Sequence, residues 1–259
     1  MGLLDDKVGL VFGVANDRSI AWHIARNAIA EGATCAFTHL PGEKMEARVR
    51  RTLEGGGLTD PWLTPCDVAS DDDLDALFEA YDGSFNRLDF VVHSVAYADR
   101  EYLVAGRFAE TPRAVFAEAL DISAYTLIAI AHRARSRMSN KGSIIALSYY
   151  GAEKATIGYN VMGVAKSALE STARYLAAEL GEQGIRVNCL SAGPCRTLSA
   201  MAVGGVDRMM EKVETSSPLK RNIETDEVGK AAVYLLSDLS SAVTGETHHV
   251  DAGFHSVAV

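Results

Sequence analysis

Apolar runs of strand length alternate with longer stretches of helical period from the N-terminal residues to the end of the chain. Successive βαβ units produce this rhythm, because each strand of a parallel sheet is buried on both faces and each following helix covers the sheet with one apolar side. Strands are predicted at 8–14, 34–38, 62–66, 88–94, 143–148, 186–191 and 247–250, and helices near 19–31, 43–54, 71–82, 113–137, 159–182 and 225–237. The expected fold class is α/β: a Rossmann-type doubly wound, mostly parallel seven-stranded sheet with helices on both faces. No linker, repeat or low-complexity tract breaks the pattern, so residues 1–259 are expected to form a single domain. Ser70 before Asp71, Asp72 and Asp73, and Thr225 before Asp226 and Glu227, place caps and acids where free amides and the positive dipole end favour them. The stretch 195–213 departs from this order: Gly204, Gly205, Met201, Met209 and Met210 are adaptable residues, and it reads as a substrate-binding lid.

Charge and cysteine usage narrow the partners. A formal net charge of -9 without a long Lys/Arg run argues against nucleic acid, whose phosphates demand clustered positive charge. Cys35, Cys66, Cys189 and Cys195 lack C-x-x-C spacing, and His248 and His249 have no carboxylate-rich cluster around them in sequence, so no metal is expected. These unpaired cysteines fit a reduced cytoplasm. Acids in residues 1–7 and glycines in the following apolar stretch speak against a signal peptide, and Asp6 stands where a myristoylation signal wants Ser or Thr. No run reaches the roughly 20 apolar residues of a spanning helix, so no membrane partner is expected.

Candidate chemistry begins at the first strand. Gly13-Val14-Ala15-Asn16-Asp17-Arg18-Ser19-Ile20-Ala21 leaves that strand and opens a helix, the setting in which backbone amides approach a pyrophosphate. It is not G-x-G-x-x-G, so taken alone an ordinary strand-to-helix turn stays open. After the second strand, His39, Leu40 and Pro41 replace the acid that holds an NAD ribose, and Lys44 alone stands in for the basic cluster that an NADP site prefers. The reading leans to NADH, with NADPH not excluded. Asp67, after the third strand, is either an acceptor for an adenine amino group or a helix cap.

Tyr159 and Lys166 are seven residues apart in a helical stretch, which puts them on one face about 10 Å apart along the axis. Gly163 between them removes side-chain bulk where a nicotinamide ribose would approach. A tyrosine that works near neutrality as a proton donor or oxyanion partner benefits from a neighbouring ammonium, since its reference pKa is about 10. On spacing alone, a packed Tyr and a solvated Lys on an amphipathic helix would be the commoner reading.

The runs Leu147-Ser148-Tyr149-Tyr150-Gly151-Ala152-Glu153 and Tyr159-Asn160-Val161-Met162-Gly163-Val164-Ala165-Lys166 change that balance. They closely resemble the NADH-dependent enoyl-acyl-carrier-protein reductases, a divergent branch of the short-chain dehydrogenase/reductase superfamily. The resemblance runs through Gly13 to Ala21, Cys66-Asp67-Val68, His93-Ser94-Val95, Asp121-Ile122-Ser123, Ser191 to Pro194 and Asp251 to Phe254. It implies a dinucleotide-binding catalytic domain that passes hydride from NADH to the β-carbon of a trans-2-enoyl thioester in fatty-acid elongation. By resemblance the catalytic residues are Tyr149, Tyr159 and Lys166. Gly13, Ser19 and Ile20 match the pyrophosphate turn, Asp67 and Val68 the adenine site, and Val95 a ribose contact. Lys166 matches the nicotinamide ribose hydroxyls, and Cys195, Arg196 and Thr197 the nicotinamide-side loop. Ala98, Tyr149, Met162 and Met201 match positions bordering the acyl chain. The carbonyl-reducing branch spaces its pair Tyr-x-x-x-Lys, which would require Lys at Gly163. Two alternatives stand behind this reading: a carbonyl or alcohol short-chain oxidoreductase, and a non-catalytic nicotinamide-sensing protein.

Departures from the resemblance lie at His23, where many members have Gly, and at Leu40 and Cys195, where bacterial members often have Gln and Ile. The implied partners are an enoyl thioester on acyl carrier protein and further copies of the chain in a homotetramer. Carrier proteins are acidic, so a chain of net charge -9 needs a local basic patch to receive one. Arg208 and Lys212, then Lys220 and Arg221, are the candidates.

Overall fold

In the computed structural model, which describes residues 2–139, 141–203 and 206–258, seven strands form one sheet. They are β1 (Val8–Val11), β2 (Thr34–His39), β3 (Leu63–Pro65), β4 (Phe90–His93), β5 (Gly142–Ser148), β6 (Ile185–Ala192) and β7 (Thr247–Val250). The order is β3-β2-β1-β4-β5-β6-β7, and every pair is parallel. The chain winds outward from β1 to β3, returns to β4 beside β1, and winds outward again. The switch point where ligands bind in such sheets therefore lies at the C-terminal ends of β1 and β4.

The nine helices among the described residues are α1 (Ile20–Ala30), α2 (Glu43–Gly55), α3 (Asp71–Asp82), α4 (Arg113–Leu120), α5 (Thr126–Ala134), α6 (Asn160–Leu180), α7 (Leu198–Val203), α8 (Val206–Ser216) and α9 (Thr225–Leu236). They cover both faces. Side chains alternate across each strand, so Val91 joins the core under α3, α5 and α6, while Phe90 and Val92 join the core under α1 and α9. α1 and α9 approach closely because Gly229 has no Cβ; one would lie 2.6 Å from the His23 carbonyl oxygen.

All seven predicted strands are present, and several boundaries carry a physical reason. β1 ends at Val11 rather than Val14 because Gly13 turns the chain at φ +94°. The single helix expected over 113–137 is broken by a π turn at Asp121–Tyr125, where Thr126 Oγ1 donates to the Ile122 carbonyl at 2.7 Å. The segment 195–213 contains two short helices, α7 and α8, that hydrophobic period did not reveal, and the Gly204-Gly205 pair lies outside the described residues. Ser70 caps α3 as expected, its Oγ accepting the Asp73 amide at 3.1 Å. At α9 the cap falls on Glu224 instead of Thr225, with Glu227 reaching back to the Glu224 amide at 2.8 Å.

One expectation is corrected outright. The helical run Arg113–Arg137 is long and apolar enough, by length and composition, to cross a membrane. Here its Ala124, Leu127, Ile130, Ala131 and Ala134 pack into the core against the sheet, which accounts for the apolar composition without a bilayer.

Candidate functional site

The C-terminal ends of β1, β4, β5 and β6 open a cleft of about 540 Å³, walled on its outer side by α7 and α8. Its floor at the β1 end is the glycine turn. A Cβ on Gly13 would lie 2.0 Å from the Ser94 carbonyl oxygen, so only glycine lets β1 and β4 close together here. Ser19 precedes α1 but makes no side-chain cap; its Oγ instead accepts the amides of Ala15 and Asn16, both at 3.0 Å. The serine thus shapes the turn and leaves the first amides of α1 facing the cleft, an anion-binding arrangement.

At the other end stand Tyr149, Tyr159 and Lys166. Three successive residues of β5 and its continuation each engage a group of the α6 segment. The Leu147 carbonyl accepts Lys166 Nζ at 2.6 Å, Ser148 Oγ bonds the Glu170 carboxyl, and Tyr149 packs edge-on against Tyr159 with ring centroids 4.9 Å apart. An ammonium has three donors. One is spent on Leu147, and Lys166 keeps the others for the cleft that it lines.

Burial sets the titration behaviour of this group. It pushes the Lys166 ammonium down to about 8, opposed by the nearby Cys189 and Glu170. It raises the Tyr149 phenol to about 12 and the Tyr159 phenol further above its ordinary range, so both rings keep their protons near neutrality. His93, wholly buried at the end of β4, is held down to about 3 by burial first and by the charge of Lys166 second. Its Nε2 lies 2.8 Å from Thr126 Oγ1, whose own proton goes to the Ile122 carbonyl. His93 is therefore neutral, donates from Nε2, and has no partner for Nδ1 among the described residues.

Tyr159 and Lys166 do meet in one cleft, but not by helical spacing alone. Tyr159 precedes the first residue of α6, and Asn160 takes a left-handed φ of +45°, fixed by bonds from its side-chain amide to the Tyr102 and Val104 carbonyls at 2.7 and 2.8 Å. The gap at Gly163 serves the chain itself rather than a ribose: a Cβ there would sit 2.8 Å from the Gly151 carbonyl oxygen. Gly151 in turn has no room for a Cβ, which would lie 2.6 Å from the Tyr159 ring.

Of the residues singled out in the sequence, Gly13, Ser19, Ile20, Val95, Ala98, Tyr149, Tyr159, Met162, Lys166, Cys195 and Thr197 line the cleft. Asp67, Val68, Arg196 and Met201 do not. Asp67 Oδ1 accepts the Ala69 amide at 3.0 Å within its own turn, and Val68 packs into the core. Arg196 points away to an exposed pair with Asp207 at 2.8 Å, and Met201 is more than half exposed. Sequence reading missed Tyr97, whose loop is held because Ser123 Oγ bonds both the Tyr97 amide and carbonyl, at 3.0 and 3.1 Å. It also missed Met209 as a wall residue; its Sδ accepts the Tyr149 hydroxyl at 3.7 Å. Neither pairing leaves a local sequence signal.

Comparison with known proteins agrees with this geometry. The family described as Enoyl-(Acyl carrier protein) reductase matches residues 13–255. The chain is 47% identical over 258 residues to an enoyl-[acyl-carrier-protein] reductase [NADH] of Rhizobium meliloti, covering 100% of this chain and 93% of that one. It is 46% identical to the enoyl-[acyl-carrier-protein] reductase [NADPH] FabI of Staphylococcus aureus, covering 98% of each. Its fold is similar to the crystal structure of the Bacillus cereus enoyl-acyl carrier protein reductase with NADP+ and indole naphthyridinone, with a TM-score of 0.96, 44% identity and full coverage of both chains.

Proposed function

The chain belongs to the enoyl-(acyl carrier protein) reductase family, and from that premise we propose that it reduces the 2,3-double bond of a trans-2-enoyl thioester on acyl carrier protein, using NADH. The observation that carries the reading is the pair of protonated tyrosines beside a buried lysine with donors to spare, all in one cleft with an open helix N-terminus.

The cleft fits a nicotinamide dinucleotide. The Gly13 turn and the free amides of α1 suit a pyrophosphate, Val95 suits a ribose face, and the two spare donors of Lys166 suit vicinal ribose hydroxyls. When bound, the nicotinamide supplies the hydride. Tyr159 keeps its proton and donates a hydrogen bond to the thioester oxygen, where negative charge develops as the β-carbon is reduced. Tyr149 holds the other flank, its hydroxyl directed to Met209 and its ring against Tyr159. Ala98, Met162 and Leu103 form an apolar wall that excludes water from the acyl end. Cys195 and Thr197 close the nicotinamide side; burial raises the Cys195 thiol to about 11, so it stays a neutral packing group.

The segment 195–213 acts as the lid of this single domain, since α7 and α8 roof the cleft. For carrier-protein docking, Arg208 and Lys212 are exposed on α8, whereas Arg221 is committed to Glu227 and Lys220 Nζ donates to the Thr215 carbonyl. Exposed Phe116, Tyr125, Ile128 and Tyr175 on the α4–α6 side support assembly into a homotetramer. Four free, buried cysteines support a reduced cytoplasm. The test follows NADH absorbance with a trans-2-enoyl thioester, beside NADPH and a ketone panel. Rapid NADH-dependent enoyl reduction supports the reading; ketone turnover with inert enoyl substrates overturns it.

A further inference from the structure

The mechanism above leaves the buried carboxyl of Glu170 unused. Glu170 lies on α6 one turn beyond Lys166, is 7% exposed, and bonds Ser148, a cleft-lining residue at the last position of β5. Among the described residues it has no ion pair. Two other buried acids are placed differently: Asp89 pairs with Arg87 and accepts the Val8 amide at 2.8 Å, and Asp251 accepts the Gly253 and His255 amides at 2.9 and 2.8 Å and faces the His255 ring. The Glu170 carboxyl accepts the Ser148 hydroxyl. Lys166 and Arg174 lie on its own helix, Cys189 faces the same interior from β6, and Glu153 and His249 approach from the loop after β5 and from β7. His249 is already bound to Glu153 at 2.6 Å. Burial raises the Glu170 carboxyl above its ordinary range, opposed by the Ser148 hydrogen bond.

Neighbouring residues show what an acid there accomplishes. Leu147 holds Lys166 and Tyr149 holds Tyr159, so Ser148 is the middle clamp of three, and it alone is secured by a carboxyl group. We propose that Glu170 is a positioning residue, a buried carboxyl group that clamps Ser148 and thereby sets Tyr149 and Lys166 for the reduction. This rests on the reductase reading of the cleft.

The test uses the full chain and the variants Glu170→Gln, Glu170→Ala and Ser148→Ala. Glu170→Ala is expected to lower kcat about tenfold while cofactor Kd changes less than about twofold, because the loss falls on transition-state placement rather than on uniform binding. Glu170→Gln, which keeps an acceptor for Ser148, restores most of that loss. The Ser148→Ala and Glu170→Ala effects are expected to be non-additive, since they break one contact. Wild-type kcat in Glu170→Ala, or a glutamine variant as poor as alanine, overturns the clamp. Should the wild type fail to reduce enoyl thioesters, the reductase reading falls while non-additive thermal midpoints of Ser148→Ala and Glu170→Ala still decide the clamp.

Discussion

The floor and the roof of the cleft are built on different physics. The floor consists of Leu147, Ser148 and Tyr149 locked to Lys166, Glu170 and Tyr159, with Gly151 and Gly163 in backbone contact beneath them. Every one of these contacts joins elements that also share the main core. The roof, α7 and α8, touches the floor through the soft thioether of Met209 and is tied at its start by the exposed Arg196–Asp207 pair. Exposed pairs contribute about 0–1 kcal/mol, whereas close packing around Gly151 and Gly163 tolerates no added methyl. Hydrogen-bonding and charged groups are thus fixed in the floor, while the roof is held by softer contacts.

Breaking the floor has the largest expected effect. Tyr159→Phe removes the donor to the thioester oxygen and is expected to lower kcat about 100-fold or more with little change in cofactor affinity, checked by steady-state turnover and cofactor fluorescence titration. Equal loss in both would place Tyr159 at the cofactor instead. Next comes Gly13→Ala, whose new Cβ meets the Ser94 carbonyl at 2.0 Å on a backbone with φ +94°. Strain of about 1–3 kcal/mol predicts a roughly tenfold to hundredfold weaker cofactor Kd by calorimetry.

Titration sharpens the comparison without any mutation. Lys166 is charged below about 8 and neutral above it, so cofactor affinity is expected to fall as pH rises through that value, and Lys166→Met should abolish the dependence. A decline that survives in Lys166→Met would assign it elsewhere. The roof gives the smallest responses. Met209→Ala is expected to raise substrate KM about threefold with kcat nearly unchanged, read from saturation curves. Arg196→Ala is expected to leave the thermal midpoint within about 2 °C of wild type, because that pair is exposed at both ends.

Much of this was legible in the chain. Seven strands, the order of helices, the Gly13 turn, and the motif residues Tyr149, Tyr159 and Lys166 could be named because strand period, helix period and short motifs are local properties. Strand ends within a few residues and the Ser70 cap followed from the same local rules. Other features were set by contacts between residues far apart in sequence. Asn160 adopts a left-handed backbone because the Tyr102 and Val104 carbonyls await its amide, which carries Tyr159 off the helix face that spacing assigned to it. A Cβ on Gly163 would meet the Gly151 carbonyl, Asp67 accepts an amide of its own turn, and Arg196 turns to Asp207. The chain by itself determined which elements form and which residues stand as candidates for the chemistry. Tertiary structure alone decided which of those residues face the cleft and with what charge, because burial and cross-strand partners do not exist until the sheet has closed.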